Sequence, residues 1–181
     1  GFERRDQVIE HRVYMTPDSR DGVSKVVGEA LGSLYADKYG MEVFCMRIGN
    51  VGTAPIDKRR LSIWVSPRDI AQLVTIGIEH PDIHFEIVYG VSKNRRSWYD
   101  NSNAARLGYS PADDSETYAA EVLARERAGD PRAEIYQGGA FVHSEKIDNP
   151  APLPRRRAAA AASRDTAKKA ASKVKKKPAA K

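Results

Sequence analysis

Cysteine is almost missing from this chain: among 181 residues only Cys45 carries a thiol. No internal disulfide can form, which fits a reducing compartment and sets the expectation of a cytoplasmic protein. Also lacking is any uninterrupted apolar run near the roughly 20 residues of a membrane-spanning helix, so no membrane attachment is expected. The start, Gly1-Phe2-Glu3-Arg4, has neither a methionine nor a signal-peptide pattern, which suggests a fragment or a processed product. No metal site is expected. Nowhere does a Gly-x-x-Gly-x-x-Gly turn follow an apolar strand, which excludes the helix N-terminus that would cradle a pyrophosphate.

What is present is unevenly charged. From Ala151 onward there are eleven Lys or Arg and one acid, net +10; ahead of it stand 19 basic and 23 acidic residues, net −4. The pI of about 9.4 therefore describes the tail rather than the body. The tail begins with Pro150, Pro152 and Pro154, continues through Arg155-Arg156-Arg157 and an alanine run, and ends in Lys175-Lys176-Lys177-Pro178. With hardly an apolar side chain larger than alanine, residues 150–181 are expected to be disordered when free. Lysines of this density release counterions from a polyanion whatever its sequence, so non-specific nucleic-acid binding is one reading; a solubilising extension is the other. No aromatic residue is interleaved there to stack on bases.

The body, residues 1–149, reads as alternating helix and strand, the pattern of an α/β sheet. Residues 1–20 are charged and read as loop with one short strand at most, around Val8-Ile9. From Lys25 onward, Val27, Ala30, Leu31, Leu34 and Tyr35 recur at the spacing of one helical face, with Ser24 as the expected N-cap and Gly40 as the C-cap. Residues 41–48 read as a buried parallel strand, 49–60 as a loop ending in Lys58-Arg59-Arg60. Ser66-Pro67-Arg68-Asp69 opens a helix as a capping box with proline in the first turn. Residues 85–90 form the next strand. A short helix over 103–107, another over 117–127 and a last ordered element over 136–141 complete the body.

Lys25 sits in what would be the first turn of its helix, where its charge opposes the dipole. The surrounding Gly22-Val23-Ser24-Lys25 resembles the active-site helix of the extended short-chain dehydrogenases, the NAD-dependent epimerase/dehydratase family. Further stretches, Arg47-Ile48-Gly49-Asn50, Arg59-Arg60-Leu61-Ser62-Ile63-Trp64, Trp98-Tyr99-Asp100-Asn101-Ser102, Leu107-Gly108-Tyr109 and Gln137-Gly138-Gly139, make the body similar to the uronate dehydrogenases. The match runs over about residues 1–144 and corresponds to the C-terminal half of such an enzyme. It implies half of a Rossmann-type parallel sheet with helices. The implied activity is hydride transfer from the anomeric carbon of a hexuronic acid to NAD, giving an aldaric acid lactone.

Site residues follow from that resemblance position by position. Lys25 falls on the lysine that holds the nicotinamide ribose and lowers the pKa of the catalytic tyrosine. Arg59 falls on the arginine that grips the substrate carboxylate, for which a planar two-donor group is suited. Asn50 stands where the subgroup has a substrate-contacting serine, and Val51 where the backbone approaches the nicotinamide. The departure is Asp21, at the position of the tyrosine four residues before Lys25. A carboxylate, with an ordinary pKa of about 3.9, is a far weaker base than a phenolate and its side chain is shorter. The resemblance thus implies an NAD-dependent oxidoreductase of a hexuronic acid, with this chain inactive alone; self-association into a homo-oligomer stays open. The alternative is a non-catalytic, basic-tailed protein binding nucleic acid or another polyanion.

Overall fold

The computed structural model describes residues 1–143; the expected disordered tail lies outside them. The first long element is α1, Arg20–Tyr39. It starts five residues earlier than its apolar spacing indicates, because Ser19 is the N-cap: its Oγ accepts from the Gly22 amide. Ser24, expected in that role, lies inside the helix and donates to the Asp21 carbonyl. Lys25 is therefore in the second turn, while Asp21 occupies the first, where a negative charge suits the dipole. Gly40 closes α1 as expected, with φ 69°, and its amide reaches back to the Ala36 carbonyl.

The expected apolar face of α1 is not the buried one. Val27, Leu31, Leu34 and Tyr35 are each about half exposed, and Ala36 alone is fully covered. The side turned to the sheet instead carries Gly32, whose α-carbon approaches Val43 and Phe85 too closely for a larger side chain to enter without displacement.

β1, Val43–Ile48, leads into a two-residue strand β2, Asn50–Val51, inside what the sequence presents as loop. A single-turn helix α2, Arg60–Ile63, and β3, Trp64–Val65, follow. Then come α3, Pro67–Glu79, and β4, Phe85–Gly90. β1 pairs in parallel with β4, from Val43 opposite Phe85 to Ile48 opposite Gly90, and β2 pairs in parallel with β3. This is an α/β, Rossmann-like arrangement in which helices connect parallel strands.

α3 begins where Ser66 and Pro67 predict, with Ser66 Oγ accepting from the Asp69 amide. The capping box is not completed, because the Asp69 carboxylate points inward. It accepts from Ser92 Oγ at 2.6 Å and from the amides of Ala112 and Asp113 at 3.0 and 3.1 Å. Asp69 thereby ties α3 to the loop after β4 and to the 110–114 segment. A second internal tie is Asn94, which donates to the Trp64 carbonyl and accepts from the Ser115 amide.

α4, Ser102–Arg106, runs beside the far edge of β4. The Asn101 side chain pairs with both the N–H and the carbonyl of Tyr89, and Asn103 donates to the Ile87 carbonyl. The expected helix over 117–127 is a 3₁₀ turn, Ser115–Tyr118, followed by α5, Ala119–Ala124. α6, Pro131–Ile135, and a 3₁₀ turn, Gly139–His143, end the described chain.

The core lies around the β1–β4 pair. Leu73, Ile83, Val88, Ala104, Leu107 and Tyr109 fill one side, and Ile9, Ile63, Tyr89, Val91 and Trp98 the other. The leading segment is held by two isolated bridges, Arg4 with Tyr136 and Ile9 with Tyr99. Its first residues thus meet the last described ones directly over the ends of α1 and α2.

Candidate active site

At that meeting point two adjoining clefts open, one of ≈ 710 Å³ and one of ≈ 150 Å³. Arg59 and Asp21 both line the smaller; Lys25 lines the larger, and Asp18, Gly22 and Gln137 line both. The tertiary structure therefore brings Arg59 to the N-terminal turn of α1, beside Asp21, 38 residues earlier in the chain. Asn50 and Val51 line neither cleft; they lie on β2, paired with Trp64 and Val65.

Asp21 and Lys25 are neighbours on one face of α1, with carboxylate and ammonium 3.6 Å apart and both side chains about three-quarters exposed. Such an exposed i,i+4 pair contributes a few tenths of a kcal/mol, about 0.3–0.5. The ion pair occupies the lysine with a carboxylate at the position where the sequence resemblance implies a phenol.

Arg59 is held differently from the basic residues flanking it. Lys58 pairs with Glu134 and Arg60 with Asp57. Arg59 instead directs Nε and Nη2 to the main-chain carbonyl of Gln137, at 2.8 and 2.6 Å. Burial pulls its guanidinium below the usual range. Arg5, whose Nε donates to the Tyr136 carbonyl, is lowered by its own burial and by the nearby charge of Arg59. Carboxylates partly balance the two cations, with Glu134 3.8 Å from Arg5 and Asp57 and Asp18 near Arg59, and Arg59 is the one facing a cleft.

Gly139 makes this packing feasible. It has φ 63°, and a Cβ there would lie 2.7 Å from Arg59 Cδ. Beside it, Gln137 is a hub that sequence reasoning had only as part of a motif. Tyr99 Oη donates to its Oε1 at 2.7 Å, and its Nε2 donates to Glu3, which in turn accepts from Thr16. Burial pushes the Tyr99 phenol up to about 12, so it stays a donor at neutral pH. Tyr99 stacks on Tyr89, centroids 4.1 Å apart, which fixes the ring. Glu3 and Arg5 come from the leading charged stretch, where no periodicity marks them.

The geometry invites comparison with known proteins. No family model matches the chain. A uronate dehydrogenase of Pseudomonas putida is 44% identical over 143 residues, 78% of this chain and 53% of that protein. The crystal structure of a glucuronic acid dehydrogenase from Chromohalobacter salexigens matches with TM-score 0.78 at 38% identity, covering 82% of this chain and 57% of that one. The chain is a homologue of the uronate dehydrogenases. It spans about half the length of these relatives. A uronate dehydrogenase from Agrobacterium tumefaciens, solved as a mutant complexed with NAD, matches with TM-score 0.75 at 34% identity over 83% of this chain and 56% of that one.

This homologue tests poorly as a complete NAD site. Of the two residues expected at the nicotinamide end, Lys25 is paired with Asp21 and Val51 lies outside both clefts. The strands among the described residues run into Gly49-Asn50 and Gly90-Val91, neither of which continues as the glycine-rich turn and helix that bind a pyrophosphate. The residues present do not fit the whole cofactor, and no step through it is derived.

Proposed function

We propose that residues 1–143 are the substrate-side half of an NAD-dependent uronate dehydrogenase, and that this chain alone does not turn over. The observation carrying the proposal is Arg59, a half-buried guanidinium lining a cleft next to the first turn of α1; the resemblance assigns it the binding of the substrate carboxylate. A uronate is a sugar bearing one fixed negative charge, and a planar cation at the cleft wall selects it over neutral sugars. The Gln137 carbonyl holds one edge of the guanidinium in place. Asn50 and Val51 are assigned to substrate and nicotinamide contacts by position. Lys25 would hold the ribose once released from Asp21. Proton removal from the anomeric hydroxyl lacks its base, since Asp21 is a carboxylate of low basicity.

The test is a fusion of the N-terminal half of the Pseudomonas putida relative to this chain, assayed for galacturonate-dependent NADH formation. The fusion retaining Asp21 is expected to be inactive, Asp21→Tyr to restore turnover, and Asp21→Tyr with Lys25→Met to lose it again. Full activity with Asp21 in place would overturn the assignment. A second reading rests on the net +10 carried from Ala151 onward: this tail retains nucleic acid or another polyanion independently of any chemistry in the body.

A further inference from the structure

At the start of α2, neighbouring arginines are held in two ways. Arg60 is held by a carboxylate, that of Asp57. Arg59 is held by a main-chain carbonyl, that of Gln137, which accepts from Nε at 2.8 Å and from Nη2 at 2.6 Å. A guanidinium carries five N–H groups in one plane. A carbonyl on the Nε–Nη2 edge leaves the end formed by Nη1 and the second proton of Nη2, which is itself a two-donor fork matched to a carboxylate. The neutral acceptor thus fixes the plane of Arg59 without forming an ion pair on that edge.

The direction of Arg59 then depends on the Gln137 carbonyl, and Gln137 is fixed from several sides. Its amide donates to the Glu3 carbonyl at 2.9 Å, next to the bridge between Arg4 and Tyr136. Its side-chain Oε1 accepts from Tyr99 Oη at 2.7 Å, and its Nε2 donates to Glu3 Oε2 at 3.2 Å. Glu3 Oε1 in turn accepts from the amide and the hydroxyl of Thr16, both at 2.8 Å. The Tyr99 ring lies on Tyr89 with the planes 14° apart, and Tyr89 Oη donates to the Glu10 carbonyl. Both polar atoms of the Gln137 side chain are engaged within the protein, so that side chain acts on the cleft through the carbonyl it steadies.

We propose that Tyr99 and Gln137 are positioning residues that set the preference for an acidic over a neutral sugar, by turning the end fork of Arg59 to the cleft. The inference rests on the family reading, which makes Arg59 the partner of the substrate carboxylate. Two parallel N–H bonds to a carboxylate require the fork and the carboxylate to share a plane. A guanidinium free to swing offers the same charge in a poorer direction. A neutral sugar has no carboxylate to place in the fork, so its binding depends little on where the fork points.

NMR titrations of the full chain with galacturonate and with galactose test this. The unaltered chain should bind galacturonate at least about tenfold more tightly than galactose, the worth of one charge-assisted bond. Tyr99→Phe keeps the ring and its stack but removes the donor to Gln137; Gln137→Met keeps the length of the side chain but removes both of its bonds. Each should weaken galacturonate binding about three- to tenfold and leave galactose within about twofold. Arg59→Lys, which keeps the charge and lacks the fork, should lose at least as much as Gln137→Met. Equal weakening of both sugars, galacturonate binding indifferent to both Tyr99→Phe and Gln137→Met, or no preference for galacturonate in the unaltered chain, overturns the inference. The family reading is judged separately by NADH formation in the Asp21→Tyr fusion: turnover there, with a galacturonate preference indifferent to both substitutions, sinks the positioning role alone.

Discussion

Arg59 and Arg60 are adjacent and carry the same charge, but their surroundings separate them. Arg60 is engaged by Asp57, whereas Arg59 stands at a cleft wall with its guanidinium aimed by a main-chain carbonyl. In the active fusion, Arg59→Ala should lower kcat/KM for galacturonate roughly 10- to 150-fold, the equivalent of losing a charge-assisted bond of about 1.5–3 kcal/mol. Arg60→Ala should change it several-fold at most; equal effects would mean a diffuse basic patch. Tyr99 gives a pH prediction. An unfolded tyrosine loses its proton near 10, while burial holds the folded Tyr99 phenol to about 12. The folded state therefore retains a proton that the unfolded state releases, and stability falls as pH rises between about 10 and 12. Tyr89 and Tyr109, also raised by burial, add to the slope. Tyr99→Phe should flatten it, by roughly 3 kcal/mol over the window at most, read from urea melts at stepped pH. An unchanged slope would mean that Tyr99 ionises as freely folded as unfolded.

Among the elements, α1 shows what periodicity can and cannot supply. The spacing of Val27, Leu31 and Leu34 announces a helix, and a helix is there. It does not announce which face is buried, because the face against β1 uses glycine and alanine to let the sheet come close. Gly28→Ala and Gly32→Ala make that distinction measurable. The first should stabilise the chain by about 0.5–1 kcal/mol, since helix propensity improves and nothing is displaced. The second should destabilise it, because the new methyl meets Val43 and Phe85. Thermal melts of the two variants moving in the same direction would refute this packing. α3 shows the converse. Ser66-Pro67 fixes its start to the residue, because proline has no amide to lose at that position. Asp69 looks in sequence like the reciprocal capping acid and in the structure ties three segments together. Asp69→Ala should cost about 2–3 kcal/mol, since the buried Ser92 Oγ and two part-buried amides lose their acceptor. A loss under about 1 kcal/mol in a urea melt would refute its role as a tie.

For the whole molecule, charge is the property that the chain separates most sharply. A body of net −4 is linked to a tail of net +10. Removal of residues 151–181 should abolish retention on heparin at moderate salt, and the intact chain should elute progressively earlier as salt rises. A truncated chain eluting at the same salt would place the basic surface in the body.

Fold class and element order were legible in the amino-acid sequence: β1 and β4 as short apolar runs bounded by glycine, α3 from its cap. So was kinship, through motifs that need only their order. Local physics suffices there, since caps, breakers and apolar periodicity act within a few residues. The site was legible only as a set of positions. That Arg59 reaches the first turn of α1 beside Asp21, that its guanidinium rests on Gln137, and that Glu3 and Tyr99 hold Gln137 in turn, are contacts between residues 38 to 134 apart. No local preference encodes them. They arise because the parallel strands and their connecting helices bring the leading segment, the end of α2 and the Gly138-Gly139 turn together.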